Sequence, residues 1–212
     1  MFNISVTASQ MKQIEAEANM QGLSYTQMME NAGRAAYEKI IKDVKTGTKI
    51  VVVTGKGNNG GDGYVIARLL HESGVQVCII QADGEPKTDD AILNCDKCKQ
   101  LGVDFVNSDN AEDAINDARI IVDAIYGTGF KGELKPGILK LCNIINHSNA
   151  IIYALDIPSG INSDTGEACK GAIKANKTVV FHLLKKAHTK EEVFDYFGKI
   201  MIKDIGIRLK QR

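Results

Sequence analysis

The chain reads as an α/β protein: a mostly parallel sheet covered on both faces by helices, with two further helices laid on it ahead of the first long strand. Three observations predict this. Short unbroken apolar runs, beginning with Ile-Val-Val-Val at 50–53, alternate with longer segments whose apolar residues recur at helical spacing. The first run leads into Gly55-Lys56-Gly57-Asn58-Asn59-Gly60-Gly61-Asp62-Gly63 and then a helical pattern, which is a strand, a glycine turn and a helix. Composition is even from end to end, with three prolines and no Pro/Ser-rich linker, so residues 1–212 are expected to form one domain.

Taken in order, residues 7–20 form a first helix, capped by Ser9, with Met11, Ile14 and Ala18 on one face. Gly22 ends it. Ser24 starts a second helix in which Met28, Met29, Ala32, Ala35, Ala36 and Ile40 are spaced for burial. The small residues Ala32 and Gly33 predict close packing against a neighbour, and the methionines read as core filler. Residues 50–53 are too few for a helix and rich in β-branched side chains, as in a strand buried on both faces. The glycine stretch reads as a loop, with its helix running on from Tyr64 and Val65 to Leu70. Gly74 stops that helix, and residues 75–80 are the next strand. Thr88 caps a helix over 89–101, which Gly102 ends. A short strand at 103–106 and a short helix at 111–118 lead to a buried strand at 119–125. Pro136 falls in the first turn of a helix over 135–145, where its missing N–H costs nothing. Strands follow at 150–157, 177–184 and 199–205.

Bulk properties narrow the function. Hydrophobic residues make up 44% and charged residues 25%, as in ordinary globular proteins. Lys+Arg and Asp+Glu both number 26, a balance that gives no support to a nucleic-acid or membrane-surface role. No apolar run reaches transmembrane length, and the opening segment lacks the basic-then-apolar pattern of a secretory signal. Five cysteines, odd and few for the length, fit reduced thiols in a cytoplasm. Cys95 and Cys98 form a lone CxxC inside a helical pattern and read as neighbours on one helix rather than a zinc or redox site.

Ligands of such sheets bind at the carboxyl ends of the strands. Three strand ends carry unusual loops: residues 55–63, 122–133 and 155–164. Gly55-x-Gly57-x-x-Gly60 satisfies a dinucleotide fingerprint, with Asp83 near the expected ribose-binding acid. Glycine turns also serve tight strand-to-helix geometry alone, but Asn58, Asn59 and Asp62 add amide donors and oxygen ligands that a plain turn does not need. Asp123 ends an apolar strand, so its charge needs a partner, either a backbone N–H, a lysine or a cation. Asp123, Asn59 and Ser159 offer only oxygen, and a single carboxylate suits a monovalent ion such as potassium. Asp156 either caps the turn that follows it or moves a proton to and from a substrate. Lys131, on a glycine-flanked loop, is a solvated lysine, a phosphate contact or an aid to that transfer. His71, His147, His182 and His188 show no metal-ligand or triad spacing and are not expected in catalysis.

Together these loops resemble the NAD(P)H-hydrate epimerase family, the YjeF N-terminal domain. The motifs are Gly55 to Gly63, Val122-Asp123-Ala124-Ile125-Tyr126-Gly127-Thr128-Gly129-Phe130 with Gly132, and Ala154-Leu155-Asp156-Ile157-Pro158-Ser159-Gly160-Ile161-Asn162-Ser163-Asp164. The leading Met11-Lys12-Gln13-Ile14-Glu15, Met28 to Gly33 and the closing Asp204-Ile205-Gly206-Ile207 are similar too. The resemblance implies a Rossmann-like three-layer α/β/α fold and epimerisation of the R and S forms of hydrated NADH and NADPH, so that an S-specific dehydratase can restore the cofactor. It implies that Asn58, Asn59, Gly60, Gly61, Asp62, Gly127, Thr128, Gly129, Phe130, Lys131, Gly132, Glu133 and Asp156 bind the substrate. It also implies a potassium ion on Asn59, Asp123 and Ser159, and a homodimer. Asp156 is the expected acid/base and Lys131 its expected helper. The chain departs from the family at Asn176, where an aspartate is usual, and at residues 184–188, which lack the usual Lys-Pro-Gly. These departures are expected to alter local turns outside the three loops. Two other functions compete: an NAD(P)-dependent oxidoreductase, and a non-enzymatic module of the mRNA-decapping scaffold type.

Overall fold

A computed structural model of the protein describes residues 5–107 and 110–208. The chain enters through a two-residue strand, β1 (Ser5–Val6), and helix α1 (Ala8–Met20). The cap of α1 is Thr7, not Ser9: Thr7 Oγ1 accepts from the Gln10 N–H while the Gln10 side chain accepts from the Thr7 N–H, a reciprocal capping box. Ser24 caps α2 (Tyr25–Ile40) as expected. Strand β2 (Lys49–Thr54) follows, then α3 (Asn58–Glu72).

Helix α3 begins six residues before Tyr64, so most of the glycine stretch is helix rather than loop. Glycine costs about 1 kcal/mol relative to alanine inside a helix. Close packing offsets that cost here. A methyl group on Gly63 would stand 2.7 Å from the Ala124 Cβ, and one on Gly61 would stand 2.4 Å from the Met29 Cε. The expected close contact of α2 is also present, since a methyl on Gly33 would meet the Val65 Cγ1 at 2.4 Å.

Strand β3 (Gln76–Gln81), helix α4 (Asp89–Gln100), β4 (Asp104–Phe105), α5 (Ala111–Asp117), β5 (Ile120–Ala124), α6 (Pro136–His147) and β6 (Ile151–Leu155) complete the alternation. Thr88 occupies the cap position of α4, but its hydroxyl makes no capping bond. The strand expected over 177–184 stops early. It is β7 (Lys177–Phe181), after which His182 takes a left-handed φ of 63° and turns the chain. The chain then forms β8 (Leu184–Lys185), which pairs in parallel with β1. A single-turn helix, α7 (Phe194–Phe197), precedes the edge strand β9 (Lys199–Lys203).

The main sheet runs β4-β3-β2-β5-β6-β7-β9, every neighbouring pair parallel. Met28, Ala36, Ile66 and Leu70 bury one face, and Ile115, Ile138, Cys142 and Ile145 bury the other. The order steps one way from β2 to β3 and the other way from β5 to β6. Such a reversal opens a crevice at the carboxyl ends of the two central strands. Asp123 lies there, in register between Val53 and Ala154.

Candidate active site

A cleft of about 510 Å³ occupies that crevice. Asn58, Asn59 and Asp62 form one wall from the first turns of α3, and Gly127, Thr128, Gly129 and Phe130 form another from the loop after β5. The first bond of α3 runs from the Gly61 N–H to the Gly57 carbonyl at 3.2 Å. The N–H groups of Asn58, Asn59 and Gly60 therefore have no acceptor within the helix, and Gly57 offers no capping side chain. A helix start of this kind suits an anionic group such as a diphosphate.

Asp156 lies at the end of β6 and lines the cleft. It stands at φ 61°, one of two non-glycine residues in the left-handed region among the described residues. That conformation costs about 1–2 kcal/mol for most side chains and is tolerated best by Asn and Asp. The turn brings its Oδ1 within 3.1 Å of the Phe181 N–H and into an ion pair with the Lys185 ammonium. Lys185 is 1% exposed, and its Nζ also donates to the Phe181 carbonyl at 2.9 Å. The other carboxylate oxygen of Asp156 has no hydrogen bond among the described residues.

Two further carboxyls share the cleft. Burial raises the pKa of Asp62 well above its ordinary value, and the negative charges of Asp156 and Glu15 add to the shift while Lys185 opposes it. Glu15, projecting from α1, is raised by burial and then by Asp156, against Lys185 and Lys12. The cleft thus holds a carboxylate paired with a lysine beside an acid that keeps its proton into a higher pH range. That is a pairing suited to proton transfer.

Asp123 and Ser159 lie behind the cleft, both fully buried. Asp123 Oδ1 accepts from the Ser159 hydroxyl at 2.6 Å and the Ile125 N–H at 3.2 Å, and Oδ2 accepts from the Ser159 N–H at 2.8 Å. Burial pushes its pKa up to about 6 against those three bonds. Asn59 packs against Gly127, and its Nδ2 is buried without a hydrogen-bond partner among the described residues.

Several expected residues fall elsewhere. Gly60 and Gly61 are buried, with a methyl on Gly60 only 2.0 Å from the Gly55 carbonyl oxygen, so their surface is turned to protein. Lys131, Gly132 and Glu133 are exposed and do not line the cleft. Asp83, at the ribose-acid position of the fingerprint, is held by Lys56 at 3.0 Å and Lys135 at 2.7 Å. Cys95 and Cys98 are free thiols on α4. The Asn176 side chain accepts from the Ile152 N–H at 2.7 Å, a bond within the sheet. The segment 184–188 lies outside the three loops, as expected, yet it supplies Lys185 to the cleft. Lys185 was not marked by its surroundings in the sequence, and Glu15 only by ending the leading stretch that is similar to the family. The departure from Lys-Pro-Gly was the only signal pointing at that segment.

Fold and cleft define a Rossmann-like α/β domain with a nucleotide-sized site at its topological switch point. The chain belongs to the YjeF family: the family described as YjeF-related protein N-terminus matches residues 25–187. It is 36% identical over 204 residues to the NAD(P)H-hydrate epimerase of Limosilactobacillus reuteri (strain DSM 20016), covering 95% of each chain. It is 35% identical over 202 residues to the bifunctional NAD(P)H-hydrate repair enzyme Nnr of Archaeoglobus fulgidus, covering 95% of this chain and 41% of that one. The chain therefore spans about two fifths of the bifunctional relatives and nearly all of the shorter ones. The crystal structure of the yeast protein YNL200c shares the fold, with a TM-score of 0.80 at 24% identity, over 99% of this chain and 90% of that one.

Proposed function

We propose that this chain is an isomerase that interconverts the R and S forms of hydrated NADH and NADPH, with no net redox change. The observation that carries the reading is the Asp156–Lys185 pair lining a switch-point cleft, in a chain 36% identical to a named epimerase. The hydrate bears its hydroxyl on a carbon bonded to the ring nitrogen. Loss and return of water inverts that carbon, as does opening and closing of the ring. Either route needs a proton delivered and a proton removed, which is general acid–base work.

In this reading Asp156 is the acid/base, and Asp62 is a second, proton-bearing carboxyl beside it. The start of α3 at Asn58 and Asn59, with Gly127, Thr128, Gly129 and Phe130, binds the diphosphate. Gly60 and Gly61 let that helix approach its neighbours. Lys131, Gly132 and Glu133 act from the loop just beyond Phe130, with Lys131 as a mobile charge for the phosphates.

Potassium is the cofactor we assign. Asn59, Asp123 and Ser159 supply only oxygen ligands, which hard cations take, and one carboxylate suits a monovalent ion. The three bonds to Asp123 leave one of its roughly four lone-pair sites free. The orphaned end of the Asn59 amide becomes an oxygen if the amide is turned over, since amide oxygen and nitrogen are assigned by their partners. The bound ion supplies a fixed positive charge that orders the loops around the substrate.

The remaining assignments follow the same reading. Residues 1–212 act as one domain that works with an S-specific dehydratase, in keeping with the longer bifunctional repair relatives. Five free cysteines support a reducing, cytoplasmic setting. The protein works as a homodimer, which sedimentation tests directly. The decisive assay mixes R-hydrate with an S-specific dehydratase and this protein. NADH recovery faster than the spontaneous rate is expected, and no acceleration overturns the proposal.

A further inference from the structure

We propose that His188 is a positioning residue that ties the backbone of Asp156 to the backbone of Lys185 through one fixed imidazole tautomer, and so sets the geometry of the proton-transferring pair. The proposal rests on the reading of Asp156 as the acid/base.

His188 lies on the turn that follows β8, is 4% exposed, and packs its ring against Phe197 with 4.7 Å between centroids. Its two ring nitrogens meet unlike partners. Nδ1 stands 2.9 Å from the Lys185 backbone N–H, which only donates, so Nδ1 is the unprotonated nitrogen. Nε2 stands 3.0 Å from the Asp156 carbonyl, which only accepts, so Nε2 carries the hydrogen. One neutral tautomer makes both bonds, and the other makes neither. A protonated ring would set two hydrogens against each other at Lys185. Burial favours the neutral ring, pushing its pKa down to about 4, with Asp156 opposing that shift and Lys185 reinforcing it.

The carbonyl that the ring holds belongs to the residue in the left-handed conformation. Phe181 completes the frame, since its N–H binds the Asp156 carboxylate and its carbonyl accepts from the Lys185 ammonium. Without the imidazole, Asp156 and Lys185 keep their charges and the Phe181 bridge but lose the backbone link that helps fix their separation. Small misplacements of reacting groups are costly, on the order of a hundredfold for about 1 Å.

The test compares His188→Gln and His188→Asn in the full chain. A glutamine amide N–H reaches the position of Nε2, whereas an asparagine oxygen replaces only Nδ1. The Gln variant is expected to keep kcat within about fivefold, and the Asn variant to lose about tenfold or more with KM unchanged within about twofold. Equal kcat in the two variants, or a loss carried by KM, overturns the proposal. Should neither variant fold, ¹⁵N NMR of the wild-type imidazole decides. The Nε2–H tautomer is expected throughout about pH 5 to 8, and an Nδ1–H tautomer or a proton gained near pH 6 overturns it. The expected spectrum from a chain that epimerises no hydrate refutes the epimerase reading and leaves the tautomer standing.

Discussion

Asp123 and Asp156 end adjacent central strands, and the protein treats them in opposite ways. Asp123 is sealed from the cleft and held by three neutral donors from Ser159 and Ile125. Neutral donors do not cancel the cost of burying its charge, and its pKa moves up to about 6. Asp156 sits one strand over on a left-handed turn, meets a buried ammonium on one oxygen and, among the described residues, has no hydrogen bond to the other. The first arrangement fastens the loop that carries Ser159. The second leaves a carboxylate able to exchange a proton with a ligand. A strand-end aspartate becomes chemical through the partner it is given and the direction in which its backbone turns, rather than through burial alone.

That contrast can be broken at its strongest point by Asp156→Asn. Epimerisation is expected to fall by about 10²- to 10⁴-fold with hydrate binding little changed. Full activity in that variant would make the two aspartates equivalent. Stability separates them next. Lys185→Met leaves Asp156 without its cation and should cost about 3–5 kcal/mol, whereas Ser159→Ala removes one hydroxyl from Asp123 and should cost about 1–3 kcal/mol. Denaturant midpoints measure both, and the reverse order would sink the comparison.

A further separation is in pH. His188 titrates near 4 in the fold against an ordinary 6.5, so between those values the unfolded chain binds more protons. Its contribution is fully present above about pH 6.5 and is lost on acidification, by about 3 kcal/mol near pH 4. With no cation bound, Asp123 has the opposite slope: the native state binds more protons between about 3.8 and about 6, so its contribution falls as pH rises through that window. His188→Gln should remove the first slope and leave the second. Melting curves from about pH 4 to 7 check this, and an unchanged acid limb in the variant would contradict it.

Much of this was legible in the amino-acid order. The alternation of β-branched runs and amphipathic segments marked the sheet, and Asp123, Ser159 and Asp156 stood out because carboxylates and glycines at strand ends are chemically unusual. The reading of 58–63 as a loop missed because three glycines argue locally against a helix, while contacts with Met29 and Ala124, distant in sequence, make them the residues that fit. Thr7 displaced Ser9 as a cap because the reciprocal partner, Gln10, is three residues after Thr7.

What the sequence by itself determined is the set of elements and the strand-end positions of the acids, because apolar periodicity and turn chemistry act between residues close along the chain. Only the tertiary structure decided what those acids became. Asp156 meets Lys185 from 29 positions away, and His188 meets Asp156 from 32. Both meetings accompany left-handed backbone at Asp156, after β6, and at His182, just before β8 pairs with β1. A lysine and a histidine carry no local mark of such partners, since burial and electrostatics are properties of the neighbours in space.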